Sequence, residues 1–242
     1  MDVLYEDEHL LVVSKPAGMV VHPTYKNKTG TMLDVLLADA DRWPADARPS
    51  IVGRLDKLTS GIVVVAKSAV MHAALQRTMA LRESEKDYLA VVYGQVNEER
   101  GEIDLPVRHD PNDRRMMIAT AGEDAASSLT RFERLATLPA PHAGLSLLRC
   151  RLVTGRRHQI RVHLAARGWP IVGDPKYGEP RWLEIDDAAL AATLQAFPRQ
   201  ALHAWRVAFT HPVTRARVIV EARVTRDLAD LMDATGLRFR RP

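Results

Sequence analysis

Five consecutive apolar residues, Ile62–Ala66, constrain the fold of this chain more than any other segment. Four of the five are β-branched, which favours an extended backbone over a helix. A strand in which apolar and polar residues do not alternate is expected to be covered on both sides. The sequence therefore predicts that Ile62–Ala66 is a strand buried on both faces.

Further strand patterns occur at both ends and in the middle of the chain. They lie at 3–15, 88–96, 145–154, 201–212 and 216–225, and helical patterns lie near 31–40 and at 69–84, 154–167 and 184–196. Strands outnumber helices, and many connections are too short for a parallel crossover. The sequence predicts an α+β fold, with a mixed, largely antiparallel sheet decorated with helices and loops. We expect one domain over residues 1–242.

The composition excludes several classes of protein. The 242 residues are 46% hydrophobic, which is normal for a globular protein. The chain has no apolar run of about 18 residues and an acidic N-terminus, which predicts neither a membrane span nor a signal peptide. The single cysteine, Cys150, excludes an internal disulfide and is expected in the core. The reducing cytoplasm is the expected location.

Arginines are concentrated in the segment from Arg149 to Gly173, which contains six of them and no acidic residue. Such a cluster is typical of proteins that bind a polyanion, most often nucleic acid. The alternative is a solvated face whose acidic partners come from elsewhere in the fold. The helix predicted over 154–167 has Thr154 as its cap and Gly168 at its end. It would carry Arg157 and Arg161 on one face near an N-terminus that favours anions.

A polar turn with a central carboxylate precedes the buried strand. Asp56 follows Arg54 and lies among the turn-forming residues before Ile62. A partly desolvated carboxylate stays charged when a cation pairs with it, and the arginine-rich helix offers candidates. The alternative is a structural turn in which Asp56 accepts hydrogen bonds from the amides of Thr59 or Ser60.

Other catalytic patterns have little support in the sequence. His158 and His163 are five residues apart, so on a helix they would point in different directions and would not form a zinc pair. No serine or cysteine has the surroundings of a hydrolase nucleophile. A metal site and a hydrolytic triad are therefore not expected.

Five motifs, in order along residues 4 to 205, resemble those of the RluA-type pseudouridine synthases. The turn and strand GRLDKLTSGIVVVAKS resemble the aspartate motif of that family, usually His-Arg-Leu-Asp-Arg-x-Thr-Ser-Gly. The other four are YEDEHLLVVSKPAGMVVHP, EKDYLAVVYG, LVTGRRHQIRVHLAARGWPIVGDPKYG and RQALHAW. Gly53 and Lys57 depart from the family pattern, which puts local RNA contacts of those two positions in question.

The resemblance implies isomerisation of uridine in RNA to pseudouridine, in a central active-site cleft. Asp56 would be the catalytic carboxylate, by attack on the ribose, by addition to the base or as a base. Arg161 would pair with Asp56 and lower its pKa, and Tyr88 would stack on the uracil and take part in proton removal. The reaction needs no cofactor or metal. Plain core packing is the alternative for Tyr88.

The same resemblance implies that RNA is the partner and that the target base is flipped out of its stack. Arg54 would fill the space that the base leaves, although a surface ion pair is its alternative. Ile160 and Leu202 would line the pocket or simply pack in the core. Three further basic residues would hold phosphates, Lys57, Arg156 and Arg157.

The expected substrate is transfer RNA, ribosomal RNA or both, on the expectation that this is a compact member of the family, without the RNA-binding domain that precedes the first hairpin in some relatives. No protein partner is evident, and a monomer is the default expectation. The alternative functions are an RNA-binding module or chaperone that lost its chemistry, and an unrelated hydrolase.

Overall fold

The computed structural model describes residues 1–25, 27–40, 43, 47–81, 83–138, 144–178 and 180–238. Part of the proline-containing connection expected over 41–50 lies outside these residues. The strands in chain order are β1 Asp2–Glu6, β2 Leu10–Lys15, β3 Ser50–Val52, β4 Ser60–Ala66, β5 Glu85–Tyr93, β6 Arg100–Asp104, β7 Val107–His109, β8 Met117–Ala119, β9 Leu129–Leu138, β10 Leu145–Leu152, β11 Leu202–Thr210 and β12 Arg217–Glu221. The helices are α1 Met32–Asp39, α2 Ala69–Ala80, α3 Gln159–Ala166, α4 Ala188–Ala196 and α5 Arg226–Ala234.

The chain divides into two compact units, residues 1–86 with 204–223, and residues 87–203 with 224–242. In the first, the strand order is β1-β2-β4-β11, β3 also pairs with β4, and β12 pairs with β11. In the second, the order is β5-β10-β9-β6, and β7 and β8 form a separate hairpin. The α+β class and the largely antiparallel pairing are confirmed. The expectation of one domain over 1–242 stays a prediction.

The strand predicted from Ile62–Ala66 is confirmed. All seven residues of β4 are buried. It pairs antiparallel with β2, so that Val64 lies opposite Val12. The missing polar alternation is explained by this position, because the side chains on both faces of β4 pack into the core.

The helix predicted over 154–167 starts later than expected. α3 begins at Gln159, after His158 in the left-handed conformation (φ 54°). The side chain of Gln159 accepts hydrogen bonds from the Arg156 amide and from the Thr154 hydroxyl. These bonds close a loop over 154–158, so the prediction that Thr154 caps the helix is wrong. The end of the helix before Gly168 (φ 77°) agrees with expectation.

Two further predictions need correction. Arg157 lies in the loop before α3, so it does not share a helical face with Arg161 as predicted. The helix expected over 184–196 begins at Ala188, because the Asp187 side chain accepts hydrogen bonds from the amides of Ala189 and Leu190 and caps it.

Among the described residues, no helix has both the length and the apolar character needed to cross a bilayer.

Candidate active site

The aspartate motif forms the loop between β3 and β4 in the first unit. Leu55 is buried and anchors the loop, Asp56 is half-buried, and Arg54 and Lys57 are exposed. A backbone hydrogen bond of 3.1 Å from the Thr59 amide to the Asp56 carbonyl closes a turn. The loop therefore holds a carboxylate at the surface of the core, with a cationic side chain on either side of it in sequence.

A buried lysine fastens this loop to the first hairpin. Lys15 is fully buried at the end of β2. Its ammonium donates hydrogen bonds of 2.9, 3.0 and 3.2 Å to three carbonyl oxygens, those of Pro16, Met19 and Lys57. The Lys57 carbonyl also accepts a 2.8 Å bond from the Gly18 amide. A desolvated ammonium is costly unless it is hydrogen-bonded, so these carbonyls constrain the backbone next to Asp56.

The glycine of the motif is required by close packing. Gly61 has φ 109°, and a Cβ on it would lie 2.2 Å from the carbonyl oxygen of Ala204 in β11. Only glycine avoids both the strained backbone and the collision. The aspartate motif and the late Leu-His-Ala motif therefore meet backbone to backbone in the first unit.

In the second unit, two buried polar residues fix α3 on the sheet. Gln159 donates 3.0 Å hydrogen bonds to the Leu129 carbonyl and the Thr130 hydroxyl. His163 contacts the Thr130 hydroxyl through Nδ1 at 2.9 Å and the Leu105 carbonyl through Nε2 at 2.9 Å. Because a carbonyl can only accept, Nε2 carries a proton, and in the neutral ring Nδ1 is the acceptor of the Thr130 hydroxyl.

Burial of this ring predicts a loss of stability in acid. Desolvation lowers the pKa of His163, although the Leu105 carbonyl opposes the shift. In the unfolded chain His163 takes up a proton near pH 6.5, whereas in the folded chain it does so only at lower pH. The contribution of this residue to the free energy of unfolding is therefore complete above pH 6.5 and decreases below it. In urea unfolding from pH 7.5 to 5, the wild type should lose up to about 1.4 kcal/mol per pH unit more than His163→Gln. Equal slopes for the wild type and His163→Gln would contradict the prediction.

Arg161 points its guanidinium at a carboxylate of the same unit, that of Asp174, 13 residues further along the chain. Its Nε and Nη2 donate hydrogen bonds of 2.7 and 2.8 Å to the two oxygens of Asp174. Both side chains are almost fully buried. The Asp174 carboxylate also accepts bonds from the amides of Lys176 and Tyr177. This bidentate pair fixes the plane of the guanidinium, and it uses two of its five N–H groups.

The remaining candidates of the second unit lie on β5, α3 and the start of β11. Tyr88 is half-buried in β5, opposite Cys150 in the register of the sheet. Ile160 and Leu202 are both buried, each with 4% of its surface exposed. Cys150 is also buried, which raises the pKa of its thiol to about 12 and agrees with the expected core position. The pairing of Arg161 with Asp56 stays a prediction.

Four of the six arginines between 149 and 173 have acidic partners from other elements. These pairs are Arg149 with Glu133, Arg151 with Asp87, Arg161 with Asp174 and Arg167 with Glu98. The alternative of compensating acids from elsewhere in the fold therefore holds for most of the cluster. The segment 149–173 contains no acidic residue, but the fold brings acidic side chains from other elements into contact with its arginines.

The other two arginines of the cluster contact backbone carbonyls. The Arg156 guanidinium donates to the Ser127 carbonyl, and that of Arg157 donates to the carbonyls of Arg114 and Arg115. Lys176 donates a 2.8 Å bond to the same Arg115 carbonyl. Partial burial, followed by the charges of Arg157 and Arg161, lowers the pKa of Lys176. Positive charges are therefore crowded beside the tip of the β7–β8 hairpin.

The sequence did not predict the contacts of three residues that organise or charge this site, Lys15, Asp174 and Lys176. Lys15 and Asp174 lie within the quoted motifs SKPAG and GDPKYG. A lysine that ends an apolar strand and an aspartate in a Gly-Asp-Pro turn are signals of burial and of turn formation. Neither pattern indicates which distant group the side chain contacts.

Comparison with known proteins assigns the chain to a family. The family model described as RNA pseudouridylate synthase matches residues 9–166. The chain belongs to this family. The resemblance to RluA-type pseudouridine synthases is thereby confirmed, and the family is one of isomerases that act on RNA.

Relatives of this pseudouridine synthase cover almost all of its sequence. A ribosomal large subunit pseudouridine synthase D from Xanthomonas campestris is 42% identical over 97% of the chain and 69% of the relative. An uncharacterized RNA pseudouridine synthase, YlyB of Bacillus subtilis, is 38% identical over 96% of the chain and 72% of the relative. A synthase D from Nitrosomonas europaea is 39% identical over 97% of the chain and 65% of the relative.

A solved structure supports the fold assignment. Human RNA pseudouridylate synthase domain containing 4 has a TM-score of 0.77 and 23% identity, over 99% of this chain and 94% of that chain. Since the identity is low, the likeness concerns the fold. It agrees with the α+β class expected for a pseudouridine synthase.

Proposed function

We propose that this protein isomerises uridine to pseudouridine in the ribosomal RNA of the large subunit, with Asp56 as the catalytic carboxylate. The reaction class comes from the family. The choice of RNA is supported by the names of the relatives from X. campestris and N. europaea. The observation that carries the assignment to Asp56 is the turn that holds it, which is braced by buried Lys15 and by the close approach of Gly61 to Ala204.

The proposed chemistry needs a carboxylate fixed beside the bond between ribose and base. A rigid turn suits this task, because a group that is already oriented loses little entropy when the reaction begins. Asp56 is half-buried, so it is partly shielded from water and still accessible to a nucleotide. It acts in this proposal at the reacting nucleoside, either as nucleophile or as a stabiliser of positive charge on the sugar.

Arg161 is the proposed cation for that carboxylate. Its orientation is set by Asp174, so the guanidinium does not have to be ordered when substrate binds. Tyr88 is proposed to stack on the uracil and to assist proton removal, and Ile160 and Leu202 to form apolar walls. The half-buried position of Tyr88 within a paired strand supports a rigid role.

Basic side chains of both units are proposed to hold the RNA backbone. Arg54 and Lys57 are exposed beside Asp56, and Arg156 and Arg157 lie in the loop before α3. We add Lys176, because the crowding of its charge with that of Arg157 would be relieved by a phosphate. Binding that depends on phosphates should weaken as salt rises.

The location and assembly of the protein follow the same proposal. A ribosomal RNA substrate and a free, buried Cys150 both suit the reducing cytoplasm. We propose that the protein acts as a monomer and without a required protein partner.

The function is tested by supplying separate RNAs. Purified protein is incubated with large-subunit ribosomal RNA or with transfer RNA, each labelled with tritium at uridine C5, and the release of tritium is measured. We expect release from the ribosomal RNA, and pseudouridine mapping in cells with and without the gene should locate the same uridine. Release from transfer RNA alone would overturn the choice of substrate.

The competing function is an RNA-binding module without catalysis. It predicts salt-dependent binding to both RNAs and no tritium release from either. The joint presence of Asp56, Tyr88 and Arg161 at positions that match the family motifs favours the enzyme.

A further inference from the structure

The loop His22–Gly30, between β2 and α1, carries an unusually exposed aromatic side chain. Tyr25 is 93% exposed. Among the residues that the structure describes, it is the only phenylalanine, tyrosine or tryptophan in the exposed class. Aromatic side chains usually contribute to a core or an interface, so an aromatic ring held in water suggests a partner.

Hydrogen bonds join Thr24, directly before this ring, to Asn27. The amide of Thr24 donates a 2.9 Å hydrogen bond to the Asn27 carbonyl, and the amide of Asn27 donates a 3.1 Å bond to the Thr24 carbonyl. The Asn27 amide also donates to the Thr24 hydroxyl at 3.1 Å. Tyr25 follows Thr24 between these two bonded residues, so its ring is presented without help from core packing.

The charge of the loop indicates what kind of partner fits. The segment from His22 to Gly30 contains Lys26 and Lys28 and no acidic residue. Tyrosine is enriched in interfaces between proteins, but lysine is depleted there. An aromatic ring followed by lysines is instead typical of surfaces for single-stranded nucleic acid, where bases stack and phosphates meet positive charge.

The segment just before this loop is tied to the aspartate motif. The Gly18 amide donates a 2.8 Å hydrogen bond to the carbonyl of Lys57, the residue after Asp56. Tyr25 is the seventh residue after Gly18, so the two Cα atoms are at most about 25 Å apart. An RNA strand whose uridine is flipped toward Asp56 has neighbouring nucleotides within about 25 Å of that uridine.

We propose that Tyr25 and Lys28, in the loop between β2 and α1, form an additional RNA contact, in which Tyr25 stacks on an unpaired base near the target uridine and Lys28 binds a phosphate. The proposal rests on the proposed function for the nature of the substrate. It adds a binding residue outside the five family motifs, and it assigns specificity for single-stranded surroundings of the target.

The test measures binding of a fluorescein-labelled, mixed-sequence single-stranded RNA to four variants. Tyr25→Ala should weaken binding about five-fold to a hundred-fold, and Tyr25→Phe should stay within two-fold of the wild type, because the ring alone supplies stacking. Lys28→Gln should lower the slope of log affinity against log salt by about one, and Tyr25→Ala should leave that slope unchanged. Val70→Ala is the control, since Val70 is 81% exposed on α2 and has no proposed contact.

Several results would overturn the proposal. These are wild-type affinity in Tyr25→Ala, an equal loss in Tyr25→Phe, and the absence of RNA binding by the wild type. Since Tyr25 supports no core packing, the melting temperature of each variant should match that of the wild type, which separates a lost contact from unfolding. Binding is measured without turnover, so an effect of Tyr25 in a protein that forms no pseudouridine would contradict the proposed function but support the contact between Tyr25 and single-stranded RNA.

Discussion

Replacing Asp56 with asparagine should lower the rate of pseudouridine formation at least about a thousand-fold while the protein stays folded. The amide that replaces the carboxylate has almost the same size but neither its charge nor its nucleophilicity, and loss of such a group typically costs several orders of magnitude. The backbone bond from Thr59 to residue 56 does not involve the side chain, so the turn should persist. The measurements are single-turnover tritium release and thermal unfolding.

The controls separate chemistry from binding. Asp124→Asn changes an exposed carboxylate in a loop and should leave the rate unchanged. Asp56→Asn should still bind the RNA with an affinity within about ten-fold of the wild type, since phosphate contacts supply most of the binding energy. If Asp56→Asn retained more than a tenth of the wild-type rate, Asp56 would not be the catalytic carboxylate.

Replacing Asp174 with alanine should reduce the free energy of unfolding by about 3–5 kcal/mol, the usual effect of removing one member of a buried ion pair. Both side chains of the Arg161–Asp174 pair are at most 5% exposed, so water cannot easily take the place of the carboxylate. The amides of Lys176 and Tyr177 lose their acceptor at the same time. Urea unfolding at pH 7.5 measures the change.

A matched control is the exposed pair of Arg167 with Glu98, in which the side chains are 40% and 48% exposed. Glu98→Gln should cost at most about 1 kcal/mol, because solvent screens such a pair. Asp174→Ala should also reduce turnover at temperatures where it remains folded, because Arg161 loses its fixed orientation. A cost for Asp174→Ala no greater than that for Glu98→Gln would show that the pair does not organise the site.

The local sequence was sufficient wherever the structure depends on the chain's own pattern. The uninterrupted apolar run of Ile62–Ala66 predicted β4 because no position along it could face water without cost. The helical pattern near 31–40 predicted α1, and the structure shows a reciprocal pair of capping bonds between Thr31 and Asp34 at its start. The order of the five motifs identified the family, and with it Asp56 as the candidate nucleophile.

Tertiary structure decided every feature that joins residues distant in sequence. α3 begins at Gln159 because the side chain of that residue is hydrogen-bonded to the preceding loop and to β9. Helix propensity, which depends on the local sequence alone, does not predict such bonds. Arg161 orients on Asp174, and Lys15 supports the backbone at Lys57, 42 residues away. A buried charge or amide takes whichever partner the folded chain brings within about 3 Å, and that choice is made by packing rather than by the neighbours in the sequence.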